Sequence, residues 1–116
     1  MIARTVLAAL LMLQAVAFGG AKVLRLQPMQ QRAAHVGMTV EDYSRIGILE
    51  ILAAVGLAIG AVVPAIGVLA ACGLLVLLGG ALVTHLRAGD RPADLAPALT
   101  VAVLATAYIV VSVTAH

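Results

Sequence analysis

The chain has 116 residues, of which 64% are hydrophobic and 10% are charged. A typical soluble domain is about 45–50% apolar and about 25% charged, and a small domain must cover a large relative surface with polar groups. The composition therefore excludes an ordinary soluble domain, a disordered chain and a nucleic-acid-binding module. The seven Lys and Arg residues are also too few for a polybasic tail. An integral membrane protein is the class that remains.

Taken in chain order, the apolar runs predict a single all-α domain, residues 1–116, built as a transmembrane four-helix bundle. A spanning helix needs about 20 mostly apolar residues, and the run of residues 46–86 is about twice that length. Pro64 disfavours the helical conformation in the residue before it, so this run divides into two helices joined by a tight hairpin. The predicted spans are residues 5–26, 45–62, 65–86 and 95–115.

The first and last of these spans carry further local signals. Ala15-Val16-Ala17 resembles the small-residue cleavage site of a signal peptide, which is the alternative interpretation of the first apolar run. Apolar sequence continues past Ala17, and this favours an uncleaved span. Asp94 is the expected N-cap of the fourth span, with Pro97 in its first turn.

Basic residues predict how the spans are oriented in the cytoplasmic membrane. Short loops rich in Lys and Arg face the cytoplasm. On the side that holds both termini, Arg4 is the one Lys or Arg residue. The polar segments 27–44 and 87–94 are therefore expected in the cytoplasm, and both termini outside. The basic residues on or beside the cytoplasmic segments are Lys22, Arg25, Arg32, Arg45, Arg87 and Arg91.

The candidate site consists of ionisable residues within the spans. A charge at membrane depth costs a few kcal/mol, so it usually faces the bundle interior and has a partner. Lys22, Glu50 and His85 belong to three helices, and the topology places all three near the same membrane face. We expect them to hold a polar head group or to relay a proton, supported on the loop side by Arg87 and Asp90. No residue pattern identifies a catalytic group.

A structural interpretation of the same residues stands beside this one. Lys22, Arg25, His85 and Arg87 would also serve as interfacial anchors that extend to water. Glu50 is too short to do so, and its alternatives are a functional role or an ion pair with Lys22.

Several other residues have simpler predicted roles. Gly47, Gly56 and Gly60 suit close helix packing. Cys72 lies in an apolar run and is expected to be a buried, inert thiol. His35 is placed in a loop, and the histidines lack a metal-ligand spacing, so no metal site is predicted.

Three stretches together resemble the DoxX-like family of small four-helix membrane proteins. They are Phe18-Gly-Gly-Ala-Lys22, Arg45-Ile-Gly-Ile-Leu-Glu50 and Ala81-Leu-Val-Thr-His85-Leu-Arg-Ala-Gly-Asp90. The recurring Lys, Glu and His of the family correspond to Lys22, Glu50 and His85. The resemblance implies a subunit or accessory of a membrane redox or quinone-linked assembly. It makes a quinone the one cofactor to consider, although no residue pattern requires a cofactor.

Two other function classes remain open. One is a structural or chaperone-like subunit without chemistry of its own, which uses its Gly and Ala faces to bind another membrane protein. The other is a small proton-coupled transporter of the small multidrug resistance type, although those exporters carry their glutamate in the first helix within an aromatic-rich site. The expected partners are membrane lipids and either a second copy or another membrane protein, with no nucleic acid.

Overall fold

The computed structural model describes residues 2–114, and within them the chain is all-α with no strand. This confirms the predicted class. Five α-helices follow one another, with a 3-10 turn at Pro92–Leu95 before the last. They are α1 Ile2–Val23, α2 Gln27–His35, α3 Val40–Ile59, α4 Pro64–Arg87 and α5 Ala96–Thr114.

The four long helices pack side by side around one core. Helix α1 packs along α3, α4 lies against both α3 and α5, and α5 also contacts α1. Each helix contributes to the core, and the largest fully buried side chains are Leu11, Leu57 and Tyr108. Because the connections alternate, the end of α1, the start of α3, the end of α4 and the start of α5 lie at one end of the molecule.

The hairpin between α3 and α4 confirms the predicted break at Pro64. Helix α3 ends at Ile59, and Pro64 is the first residue of α4. Pro suits this position because the first turn of a helix needs no backbone N–H donor there. At its other end α3 begins after Thr39, whose hydroxyl accepts a hydrogen bond from the Asp42 backbone N–H at 3.0 Å.

The polar segment 27–44 differs from the expectation because much of it is helical. Helix α2 occupies residues 27–35, and α3 begins at Val40, five residues before the predicted start. The placement of His35 in a loop was therefore wrong, since it is the last residue of α2. Met29 and Ala33 are buried, and this spacing of four residues puts one apolar face of α2 against the long helices.

Two local expectations also need correction. Asp94 does not cap α5 from outside, because it lies within the 3-10 turn and its carboxylate accepts a hydrogen bond from the Arg91 backbone N–H. Cys72 is exposed rather than buried, since a run that is apolar on all sides does not distinguish the core-facing side of α4 from its outer side. Pro97 does lie in the first turn of α5, as predicted.

Three segments are long and apolar enough to cross a membrane, namely Ile2–Val23, Pro64–Arg87 and Pro92–Thr114. Their outer faces are apolar, as shown by Leu13, Val76 and Val103, which are 71%, 76% and 67% exposed. Such a surface suits contact with lipid chains rather than water. Helix α3 is not among these segments because it carries four charged residues, of which three lie in its first two turns.

Candidate functional site

Two of the predicted site residues form an ion pair between α1 and α3. Lys22 Nζ donates a hydrogen bond to Glu50 Oε1 at 2.6 Å. The two side chains are only 12% and 16% exposed, so the pair is largely shielded from solvent. A buried charge needs such a partner, and each residue here supplies it for the other.

A close approach of two helix backbones brings these side chains together. A Cβ atom built on Gly47 would lie 2.6 Å from the carbonyl oxygen of Gly19, and one on Gly19 would lie 2.8 Å from the carbonyl oxygen of Gly47. Only hydrogen atoms fit between the backbones at this crossing. Lys22 and Glu50 each lie three residues beyond the glycine of their own helix, which puts them on the same side of the crossing.

The second carboxylate oxygen of Glu50 is buried and has no hydrogen-bond partner within the described chain. Lys22 Nζ lies 5.0 Å from the centroid of the Tyr43 ring, a distance at which a cation is attracted to the ring face. The ammonium group is therefore held between the Glu50 carboxylate and an aromatic ring, while Glu50 Oε2 stays unpaired.

His85 forms a separate cluster with Asp90 and His35. Asp90 Oδ2 lies 2.5 Å from His85 Nδ1, and Asp90 Oδ1 lies 2.6 Å from His35 Nε2. One carboxylate thus joins the end of α4 to the end of α2. No hydrogen bond links His85 to Lys22 or Glu50 within residues 2–114, so the predicted triad is divided between two neighbouring clusters.

The turn that ends α4 explains how Asp90 reaches His85. Gly89 adopts a φ of +77°, and the Asp90 backbone N–H donates to the His85 carbonyl oxygen at 3.1 Å. This bond belongs to the Schellman motif that ends many helices, and glycine adopts the required left-handed conformation without steric cost. The motif folds the chain back so that the Asp90 side chain meets the imidazole of His85.

The two histidines also determine the electrostatics of Asp90. Its side chain is 9% exposed, and the hydrogen bonds from His85 and His35 hold the pKa of its carboxyl below the ordinary value. A carboxylate that accepts hydrogen bonds on both oxygens is stabilised in its charged form. Asp90 is therefore an anion at neutral pH, held between two imidazoles.

Each cluster contributes at least one side chain to a cavity of about 400 Å³ between the long helices. Lys22, Glu50 and His85 all line it. Its walls are mostly apolar, and they include Leu74, Leu77 and Val101 toward the middle of the helices. A polar end and an apolar body are the usual features of a site for a small amphiphilic molecule.

A second cavity of about 380 Å³ adjoins the first on the loop side. His85, Tyr43, Phe18 and Arg32 line both, and His35 lines only the second. Arg32 has no ion-pair partner within residues 2–114, and its guanidinium lies 5.8 Å from the centroid of the Phe18 ring. The two cavities together connect the polar end of the molecule with the space between the long helices.

The remaining predicted residues, Arg87, Gly56 and Gly60, do not take part in the Lys22–Glu50 ion pair. Arg87 is exposed at the end of α4. Gly56 and Gly60 pack on α4, where added Cβ atoms would lie 2.8 Å from the Ala70 Cβ and 2.6 Å from the Gly67 Cα.

Sequence reasoning missed Arg32, His35 and Tyr43 as wall residues of the cavities. The signal for the first two was the spacing of Met29, Ala33 and Val36, which indicates a short amphipathic helix. No comparable signal was available for Tyr43.

The apolar outer surface, the three membrane-length segments and a cavity with one polar end define a small multi-pass helical membrane protein. The sequence profile of the DoxX-like family matches residues 6–109, which include Lys22, Glu50 and His85. The chain belongs to the DoxX-like family. No curated protein and no solved structure matches it.

Proposed function

We propose that the protein binds a small amphiphile in the cavity and acts as a subunit or accessory of a membrane redox assembly, with a quinone-type head group as the ligand. The cavity is the observation that carries this proposal. It combines polar side chains at one end with apolar walls, and it lies among helices with a lipid-compatible exterior. In this proposal the head group lies beside Lys22, Glu50 and His85, and the tail extends along Leu74 and Val101.

The proposal includes α3 as a fourth membrane span, which completes a four-helix bundle. The outer face of α3 is apolar from Ile48 onward, since Ile48, Leu52 and Val55 are all exposed and recur at helical spacing. Its remaining charge inside this region, Glu50, faces inward and is paired with Lys22. The chain would then cross the membrane four times, with segments 27–44 and 87–94 in the cytoplasm and both termini outside.

The partners in this proposal are membrane lipids and either a second copy or another membrane protein. The alternative of a structural subunit predicts that filling the cavity has no consequence. The alternative of a proton-coupled transporter needs a membrane glutamate that is free to exchange protons and substrate. The close contact of Glu50 with Lys22 favours ligand binding over transport.

The test is binding of a decyl-substituted benzoquinone, supplied in its oxidised and reduced forms to the detergent-purified protein and detected by native mass spectrometry. We expect one bound molecule per chain for at least one form. Ala81 lines the cavity, so Ala81→Phe should abolish binding, whereas Ala9→Phe, at an exposed position of α1, should preserve it. Binding that survives Ala81→Phe would place the ligand elsewhere, and no binding of either form would refute the quinone assignment.

A further inference from the structure

Glu50 Oε2 distinguishes between classes of head group. It is buried without a hydrogen-bond donor in the described chain, while Oε1 accepts from Lys22. An unsatisfied buried acceptor is rare in native structures, and each instance requires an explanation. Glu50 lines the cavity, and a rotation of its carboxylate about the terminal side-chain bond, which is a soft torsion, would present Oε2 to a donor on a molecule bound there.

The neighbouring side chains do not supply it. Thr84 lines the same cavity, but its hydroxyl donates to the Ala81 carbonyl oxygen at 2.9 Å. Lys22 already donates to Oε1 and lies over the Tyr43 ring. The 2.6 Å contact with the ammonium is that of an ion pair, and the carboxylate of an ion pair only accepts hydrogen bonds.

The charges around the cavity indicate that the donor is neutral. Lys22 neutralises Glu50, His85 faces the Asp90 carboxylate, and Arg32 is a further cationic wall residue. A cationic head group would therefore find the carboxylates of Glu50 and Asp90 already engaged and would be repelled by Arg32. A hydroxyl group carries a donor without a charge, and it fits beside apolar walls.

Building on the proposed function, we propose that the cavity selects amphiphiles whose head group bears a hydroxyl, an alcohol or a phenol, which donates a hydrogen bond to Glu50 Oε2. Head groups that only accept hydrogen bonds, such as ethers and quinone carbonyls, leave this oxygen unpaired. Within the quinone class, the site would thus favour the reduced, hydroxyl-bearing form.

The test compares 4-nonylphenol with its methyl ether, 4-nonylanisole, which keeps the ring and tail but lacks the donor. Binding is measured by native mass spectrometry at matched concentrations, and the Ala81→Phe variant corrects for partition of each probe into detergent. We expect the phenol to bind the unsubstituted protein about tenfold more tightly, the factor that corresponds to loss of one hydrogen bond to a charged group.

A matched pair of variants locates the selectivity. Glu50→Gln replaces one of the two carboxylate oxygens with an NH2 group. Because an amide donates as well as accepts hydrogen bonds, it can bind the ether as well as the phenol, and the preference for the phenol should fall to about twofold or less. Glu41→Gln makes the same change on the exposed first turn of α3, and it should keep the full preference. If Glu50→Gln does not fold, equal binding of the two probes to the unsubstituted protein still overturns the hydroxyl selectivity.

The outcomes separate this inference from the function on which it rests. Equal binding of phenol and ether in the cavity would overturn the hydroxyl selectivity and leave the amphiphile site intact. A preference that persists in Glu50→Gln would also overturn it, because the donor would then bind another group. Failure of both probes to bind, together with failure of both forms of the decyl benzoquinone, would reject the amphiphile site itself.

Discussion

The carboxylate of Asp90 lies 2.6 Å from Nε2 of His35, a residue 55 positions earlier in the chain. This contact links the loop after α4 to the last residue of α2. Because Arg32 and Val36 of this segment also line the cavity, the contact holds one part of the cavity wall in place. The ligand site thus depends on a short polar helix as well as on the apolar spans.

The contact predicts a specific pH dependence of stability. The pKa of Asp90 is lowered in the folded state by hydrogen bonds from His85 and His35, against about 3.9 in an unfolded chain. The bonds therefore contribute stability above about pH 4, and this contribution is lost as pH falls through the lower, folded pKa. We expect Asp90→Asn to lower the unfolding temperature at neutral pH and to flatten its fall at acidic pH.

The measurement is thermal unfolding of the detergent-solubilised protein, followed by circular dichroism between pH 3 and 7. Glu41→Gln removes an exposed carboxylate of α3 and serves as the control, with a profile that follows the unsubstituted protein. An acid-induced loss of the same size in Asp90→Asn would mean that the two histidines do not stabilise this carboxylate.

The ion pair of α1 and α3 gives a second prediction. Lys22→Met leaves Glu50 in a largely buried position without its cation, and the expected loss of stability is about 3 kcal/mol, toward the lower limit for a broken buried pair. The double variant Lys22→Met with Glu50→Met should recover most of this loss, because two apolar side chains replace the pair without leaving an isolated charge. Equilibrium unfolding of both variants measures the difference.

An exposed ion pair provides the control for this cycle. Arg45 and Asp42 lie 3.0 Å apart at the start of α3, and their side chains are 72% and 53% exposed. Arg45→Met should therefore change stability by about 0.5 kcal/mol or less. Equal effects of Lys22→Met and Arg45→Met would show that the Lys22–Glu50 pair is solvated to the same degree.

Much of the fold follows from the apolar runs, because membrane-length segments and a proline between two of them are visible in the sequence. An unpaired charge is costly among apolar residues, and this cost, with the order of the helices, predicts that Lys22 and Glu50 lie near the same end of the molecule. The predicted ends of the long helices were less accurate than the number and order of these helices. Helix α2 was missed because its mean character is polar, and only one narrow face with Met29 and Ala33 is buried.

The His35–Asp90–His85 cluster was beyond sequence reasoning for a different reason. Asp90 reaches His85 through the turn at Gly89, and a Gly after a helix is a recognisable signal for such a turn. Its second contact joins residues from two segments that are distant in sequence, and it depends on how α2 lies across the helix ends. No spacing rule encodes that position.

Backbone conformation at the end of α1 gives a third prediction. Arg25 has a φ of +55°, and the left-handed region costs a residue with a side chain roughly 1–2 kcal/mol relative to its favoured conformation. Arg25→Gly should therefore stabilise the protein by about 0.5–1 kcal/mol, after allowance for the greater freedom of glycine when unfolded. The hydrogen bond from Gln30 Nε2 to the carbonyl oxygen of residue 25 does not need the arginine side chain.

The reciprocal substitution tests the same conformation. Gly89 has a φ of +77°, and a Cβ there would meet no atom within 4 Å, so Gly89→Ala reports backbone strain alone. It should lower the free energy of unfolding by about 1 kcal/mol. A loss of stability in Arg25→Gly of the same size as in Gly89→Ala would show that the arginine side chain outweighs its backbone strain.

The crossing of α3, α4 and α5 gives the last prediction. A Cβ on Gly67 would overlap the Tyr108 hydroxyl and lie 3.0 Å from the Gly60 Cα, and Tyr108 is fully buried. Gly67→Ala should therefore destabilise the protein by about 1–3 kcal/mol through overpacking, with partial recovery when Tyr108→Phe removes the hydroxyl. Gly80 lies on the same helix with no atom within 4 Å of an added Cβ. Gly80→Ala should be neutral or stabilising by up to about 1 kcal/mol, since alanine favours the helix. Equal unfolding temperatures for the two alanine variants would show that α4 does not pack closely against Tyr108.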